Sequence, residues 1–172
     1  MTGRHRDFFP IVLGVFALVA AYGVVNDQLI VTLAANHFTV YYPHYFSFES
    51  ARAQAFCFGL AAGAPGVGWG ILLYWAGHYG PGPQLSVRAT LLTAGAVLLG
   101  TAAVAWGLGH EAAGMPVPPY PMFFYPDTDG NLSITQTVQL TNYWLGALGA
   151  ALAIVVILAG RTLRAPPEEP AS

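Results

Sequence analysis

The sequence predicts an all-α protein, a membrane-embedded four-helix bundle with an extracytoplasmic, aromatic-rich cap formed by two loops. Three observations predict it. Of 172 residues, 55% are hydrophobic and only 8% charged, against about 25% charged in soluble domains, so a water-soluble fold could not cover its surface. Four stretches reach the roughly 20 predominantly apolar residues that cross about 30 Å of hydrocarbon. The six cationic residues are all arginines, and with four spans Arg4, Arg6, Arg88, Arg161 and Arg164 fall on one side and only Arg52 on the other. Positive-inside placement then puts both termini and the short loop 79–86 in the cytoplasm.

The first span is expected over about residues 8–35. Its core, FFPIVLGVFALVAAYGVV, carries no charge, and Pro10 falls in the first turn, where a missing N–H leaves no bond unmade. Arg4 and Arg6 before an apolar run reaching Ala20 and Ala21 also fit a secretory signal, but the helical pattern continues beyond those residues, so an uncleaved span is expected. Asp27 lies about 19 residues beyond Phe8, roughly 29 Å along a helix, which places it half-solvated at the outer interface. Tyr22 and Asn26 are one turn apart, as are Gln28 and Thr32, so these polar groups can bond to each other or to the cap. The bland reading makes Asp27 an anchor for the cap, paired with Arg52. The functional reading makes Asp27, Asn26, Gln28, His37 and His44 a binding site at the outer interface.

The second span, about 50–78, carries Gly59 and Gly63, Gly66 and Gly70, with Pro65 between the two pairs. Small residues four apart let helix backbones approach in lipid, so this helix is expected at the centre of the bundle. Pro65 removes a backbone bond and predicts a kink or unwinding near mid-membrane. A broken helix also marks transporter sites, but those folds pair two breaks in repeated halves, and one break favours packing. Trp69, Tyr74, Trp75 and His78 read as an interfacial belt at the cytoplasmic end. The third and fourth spans are expected over about 87–109 and 134–160, with Trp106 and Trp144 near their outer ends and Ser133 or Asn131 capping the fourth. Residues 1–164 form one domain, and the polar, proline-rich tail 165–172 is expected to be disordered.

The outward loops hold ten of the chain's aromatic residues: Phe38, Tyr41, Tyr42, Tyr45, Phe46 and Phe48, then Tyr120, Phe123, Phe124 and Tyr125. Rings bearing a hydroxyl suit a boundary that is dry on one side and wet on the other. Pro116, Pro118, Pro119, Pro121 and Pro126 favour extended backbone in the second loop. Its PDTDGN run opens like a calcium loop, but the glycine comes too early and position twelve from Asp127 is Val138 rather than glutamate, so a turn is expected. Asn131-Leu132-Ser133 also matches a glycosylation acceptor, a motif common by chance.

Several function classes fall away. Eight acidic residues against six arginines give a net charge of −2, so no basic field exists to attract nucleic acid. A lone Cys57 excludes a dithiol redox centre. No span has a charge near its midpoint, which removes the carboxylate of a proton-coupled small multidrug pump, and no histidine sits inside a span to ligate haem. His37, His44 and His110, with Met115 and Met122, are the candidate copper or zinc ligands, although their spacing follows no regular motif. No cofactor is expected.

Tyr22-Gly23, Asp27-Gln28, Phe38-Thr39 and Pro43 resemble the pattern of a family of small, uncharacterised bacterial multi-pass membrane proteins, in which YGxxxDQ precedes YFTxxHP. The likeness covers about 22 residues and, more loosely, the Gly-Trp-rich second span. This chain has Asn36 and His37 where the family has an acidic-aromatic pair, and Tyr42 where the family's histidine precedes proline; His44 follows two positions later. The resemblance implies a four-helix protein of the bacterial inner membrane and brings no activity. Three functions are therefore expected in order. The first is a non-catalytic accessory or interaction subunit that meets another membrane or periplasmic protein through its aromatic cap. The second is a redox, metal- or quinone-binding subunit with a site at the outer interface, and the third is a small transporter component.

Overall fold

Apolar composition sustained over long, proline-poor stretches yields helices, and the four spans appear as such in the computed structural model, which describes residues 3–43, 45–46, 48–80, 82–125 and 129–164, residues 3–5 as backbone only. The elements are α1 (Gly3–Leu33), α2 (His37–Tyr41), α3 (Ala51–Ala61), α4 (Ala64–His78), α5 (Val87–Ala112), a 3-10 turn (Met122–Phe124) and α6 (Gly130–Thr162). Four spans are long and apolar enough to cross a membrane: Arg6–Leu33, Ala51–His78, Val87–Ala112 and Gly130–Thr162. The start of α1, the end of α6 and the connection after α4 share one end of the bundle; the described parts of the two longer loops share the other. His44, Asp127 and the tail 165–172 lie outside the described residues.

Pro65 sets the break in the second span. Its ring displaces the carbonyl four residues earlier and it donates no N–H, so α3 stops at Ala61 and α4 restarts at Ala64 with Pro65 in its first turn. The small residues around the break lie against α1. A Cβ on Gly59 would sit 2.5 Å from the Val24 nitrogen and 2.6 Å from the Gly23 carbonyl carbon; one on Gly63 would sit 2.8 Å from Ala20 Cβ, one on Gly66 3.0 Å from Val19 Cβ, and one on Gly70 2.9 Å from Val12 Cα. The second span touches all three others, and this seam with α1 is its most extensive. On the other side α5 and α6 form a second antiparallel pair, in which Gly109 faces Val138 and Gly149 faces Val97.

Three expectations change. Trp69 is no interfacial anchor: it is 8% exposed and packs with Ile11, Val15 and Leu73, because it shares the face of α4 that carries Gly66 and Gly70 to α1. Tyr74 and His78 are buried beside it, and only Trp75 points outward. The fourth helix starts at Gly130, about a turn earlier than expected, because Asp129 is its cap, accepting from the backbone N–H groups of Asn131 and Leu132. The first loop is not all irregular, since α2 forms within it.

Arg161 closes the end near the termini. Although it sits in the last turn of α6, it is buried, and its guanidinium donates to the carbonyls of Ala76, Tyr79, Gly80, Gly82 and Pro83. Gly82 permits this wrap, with φ +87° and its α-carbon so close to the Arg161 carbonyl that a Cβ would lie 2.1 Å from the oxygen. Beside it, His78 lies 3.5 Å from the Asp7 carboxylate.

The seam gives a direct check. Gly59→Ala drives a methyl group into α1 backbone, which cannot swing aside, and should destabilise the protein by about 1–3 kcal/mol. Gly68→Ala meets nothing within 4 Å and should stabilise by about 0.5–1 kcal/mol through helix propensity. Thermal midpoints in a mild detergent should therefore move in opposite directions for the two variants; a fall in both would contradict the seam.

Candidate functional site

Between the α1–α3–α4 group and the α5–α6 pair lies a cavity of about 370 Å³, bounded by Val19, Tyr22, Gly23, Asn26 and Asp27 of α1, the Ala62–Trp69 break, Val97 to Thr101 of α5, and Gln139 to Ala150 of α6. Its walls are mostly apolar, and its polar groups gather at the end toward the longer loops. Tyr22 donates to Asn142 Oδ1 at 2.6 Å, and Asn142 Nδ2 donates to Asn26 Oδ1 at 3.1 Å. Trp106 Nε1 donates to the same Asn26 oxygen at 3.2 Å, and Asn26 Nδ2 donates to Asp27 Oδ1 at 3.1 Å. Gln139 Nε2 donates to the Tyr143 hydroxyl at 2.8 Å.

Three buried polar atoms on residues of this lining have no protein partner: Asp27 Oδ2, Gln139 Oε1 and Trp69 Nε1. Asp27 is 2% exposed, which overturns its expected half-solvated position. The packing of α5 and α6 explains the difference: Trp106 and Asn142 stand level with Asn26, and the turns of α6 from Leu132 to Thr141, nearly all buried, continue the bundle past that level. Arg52 does not pair with Asp27 either. Its guanidinium donates to Gln28 Oε1 at 3.2 Å and Thr32 Oγ1 at 3.3 Å, and Gln28 Nε2 donates back to the Arg52 carbonyl at 2.9 Å. Gln28 is thus a tie between α1 and α3 on the exposed side, while Asn26 and Asp27 belong to the cavity.

The described histidines do not join them. His37 Nδ1 lies 2.8 Å from Thr135 Oγ1, whose own hydrogen is directed to the carbonyls of Asn131 and Leu132. Nδ1 is therefore the donor, and the buried Nε2 keeps its lone pair without a partner. Phe38, Tyr41 and Tyr42 pack around this ring, and burial holds its pKa down from 6.5 to about 3. Burial, with the neighbouring Tyr143 and Asp27, pushes the Tyr42 phenol up. His110 is exposed and lies beside the Trp106 ring. Among the described residues no three His, Cys, Asp or Glu side chains converge as a metal site would need.

The loops are bound to the same helices. Gln54 Nε2 donates to the carbonyls of Phe46 and Phe48, and rings of the first loop pack on Phe58. Gln136 Nε2 donates to the Phe124 carbonyl, Tyr125 bonds Thr137 and Tyr120 bonds Thr141. A second hollow opens between the loops, lined by Tyr41, Tyr42, Phe123, Phe124, Gln136, Leu140, Tyr143, Trp144 and Ala147. Tyr143 and Ala147 border both hollows.

Gln139, Asn142, Tyr143 and Trp69 were not among the residues expected from sequence. A signal exists for the α6 members: Thr135, Gln136, Gln139, Asn142 and Tyr143 recur three to four residues apart within an apolar helix, the spacing of one polar face. The chain matches no family model, no curated protein and no solved structure in the three comparisons made.

Burial of neutral His37 makes acid destabilising. The unfolded imidazole titrates near 6.5 and the folded one near 3, so the unfolded chain binds the extra proton between these values and stability, complete above pH 6.5, is lost as pH falls toward 3. The thermal midpoint of the wild type should fall more steeply from pH 6.5 to 4 than that of His37→Asn; equal slopes would contradict the assignment.

Proposed function

We propose that this chain is a non-catalytic binding subunit of a membrane, and that its site is the cavity between the two helix groups, where a small amphipathic molecule lodges with its polar head toward Asp27 and Gln139. One observation carries the reading: two buried acceptors, Asp27 Oδ2 and Gln139 Oε1, are left without protein partners on a single, mainly apolar cavity. An orphaned buried acceptor or donor costs about 1–3 kcal/mol, and a ligand that satisfies it while filling an apolar hollow recovers that cost. Small-molecule sites have this composition, apolar walls with a few placed polar groups, and volumes of about 300–1,000 Å³. No cofactor is invoked, and a quinone is one amphipathic molecule of suitable character.

The finer placement belongs to the same proposal. Arginine asymmetry supports both termini in the cytoplasm of a bacterium, and the YGxxxDQ resemblance supports the inner membrane. The longer loops, each tied to polar side chains of α6 or α3, would then form the extracytoplasmic aromatic cap. Interaction with a partner protein is a second reading, favoured by Phe123, which is 77% exposed at that end.

Gly146 lines the cavity and a Cβ there meets nothing within 4 Å, so Gly146→Leu should fill the cavity and gain up to about 1 kcal/mol of helix propensity. After detergent exchange, solvent extraction and mass spectrometry of the wild-type protein should return one small molecule near one equivalent, and the Gly146→Leu protein should return less than a tenth of it. Identical extracts from two equally folded proteins would refute the cavity as the site.

A further inference from the structure

The chemistry of the open atoms narrows the ligand class, resting on the cavity reading above. At the loop end of the cavity Asp27 Oδ2 and Gln139 Oε1 are acceptors without a partner, and the side-chain donors beside them already bond within the cluster, Tyr22 to Asn142, Asn142 and Trp106 to Asn26, Asn26 to Asp27 and Gln139 to Tyr143, each of the three amides keeping one further N–H. Asp27 is the one ionisable carboxyl among the described lining residues, and Arg52 is held by Gln28 and Thr32. A buried carboxylate needs a counter-charge or a proton, and no basic side chain is among the described residues that line this cavity.

The adjoining hollow has matching character. Six of its described lining residues are aromatic (Tyr41, Tyr42, Phe123, Phe124, Tyr143 and Trp144), none of the described ones is charged, and Tyr143 and Ala147 form the wall it shares with the Asp27 cavity. Ring faces attract organic cations that have shed part of their water, by about 0.5–2 kcal/mol each. An aromatic hollow that shares a wall with a cavity holding a lone buried carboxylate is an arrangement that favours an organic cation on both sides of that wall. A neutral donor such as an alcohol or a quinol gains the hydrogen bond at Asp27 but nothing from the ring quadrupoles.

We infer that the cavity binds a lipophilic organic cation, an ammonium head at Asp27 and Gln139 with an apolar body lying along α4 and α6 toward Trp69. The backbone levels support an elongated body: Gly59 meets α1 at Gly23 and Val24, and Gly70 meets it at Val12, so the Trp69 backbone is set nearly four turns deeper than Asp27, on the order of 20 Å at 1.5 Å per residue.

The test is calorimetric titration of the purified full chain, in an uncharged detergent at pH 7, with 4-phenylbutylammonium and with 4-phenylbutanol, which share an apolar body, both donate a hydrogen bond and differ in charge. The wild type should bind the cation at least tenfold more tightly than the alcohol. Asp27→Asn should lower cation affinity at least tenfold and alcohol affinity by a clearly smaller factor, and Gly146→Leu should abolish binding of both. Alcohol binding equal to or tighter than the cation, still abolished by Gly146→Leu, would overturn the cation class and leave the cavity reading standing. Cation binding unchanged by Gly146→Leu, or no binding of either probe, would overturn the inference and count against the cavity as well. The wild-type comparison decides between cation and alcohol even where Asp27→Asn does not fold.

Discussion

A single side-chain amide, that of Asn26, fixes how three of the four spans meet. In hydrocarbon a polar group has no water to fall back on, so each polar side chain carried into the bundle must find its partner on another helix. Asn26 Oδ1 uses both acceptor positions, one for Trp106 of α5 and one for Asn142 of α6, while its NH2 group supports Asp27. Register between α1, α5 and α6 is thereby set at one level, and Tyr22 closes the circuit through Asn142. The network satisfies its own members and leaves Asp27 with one oxygen turned to no protein group.

Glycine placement explains why a hollow lies next to that network. On one side, Gly59, Gly63, Gly66 and Gly70 let the broken second span press onto α1 until backbone meets backbone; on the other, Gly109 and Gly149 draw α5 and α6 together. Close packing within each group is not matched between them. There the wall residues include Gly66, Gly146 and several alanines, and the interruption at Ala62–Gly63 adds further space. Pro65 thus acts through packing and through shape: it ends α3, and the resulting step in the helix is part of the cavity wall. At the other end, Arg161 ties the short loop to α6, so the two groups are joined firmly where the cavity is not.

Much of the fold was legible in the sequence because it follows from length and apolarity. Four spans, the break at Pro65 and the division of arginines between bundle ends need only counting and helix geometry. The site was legible in part. Asp27 and Asn26 stood out as polar residues following an apolar run, but their burial depends on the register of α5 and α6 against α1, which brings Trp106 and Asn142 level with Asn26 and is not set by counting along one helix. Trp69 was misplaced for a related reason: aromatic residues near a helix end fit an interfacial belt by composition, and only the direction of the glycine face shows that this one points inward. His37 and Gln28 are near Asp27 in sequence yet serve other contacts, one to Thr135 and one to Arg52, because successive residues of a helix and its following turn point in different directions.

The central claim is that a ligand enters the bundle at Asp27 rather than resting on its aromatic surface. The most direct measurement is anomalous diffraction from crystals of the full chain grown with the 4-(4-bromophenyl)butyl analogue of the ammonium probe. The account predicts one bromine peak inside the bundle, between α4 and α6 on the Trp69 side of the cavity, with density continuing to the Asp27 carboxylate. A peak confined to the outer faces of Phe123 and Trp144, with nothing beside Asp27, would contradict it.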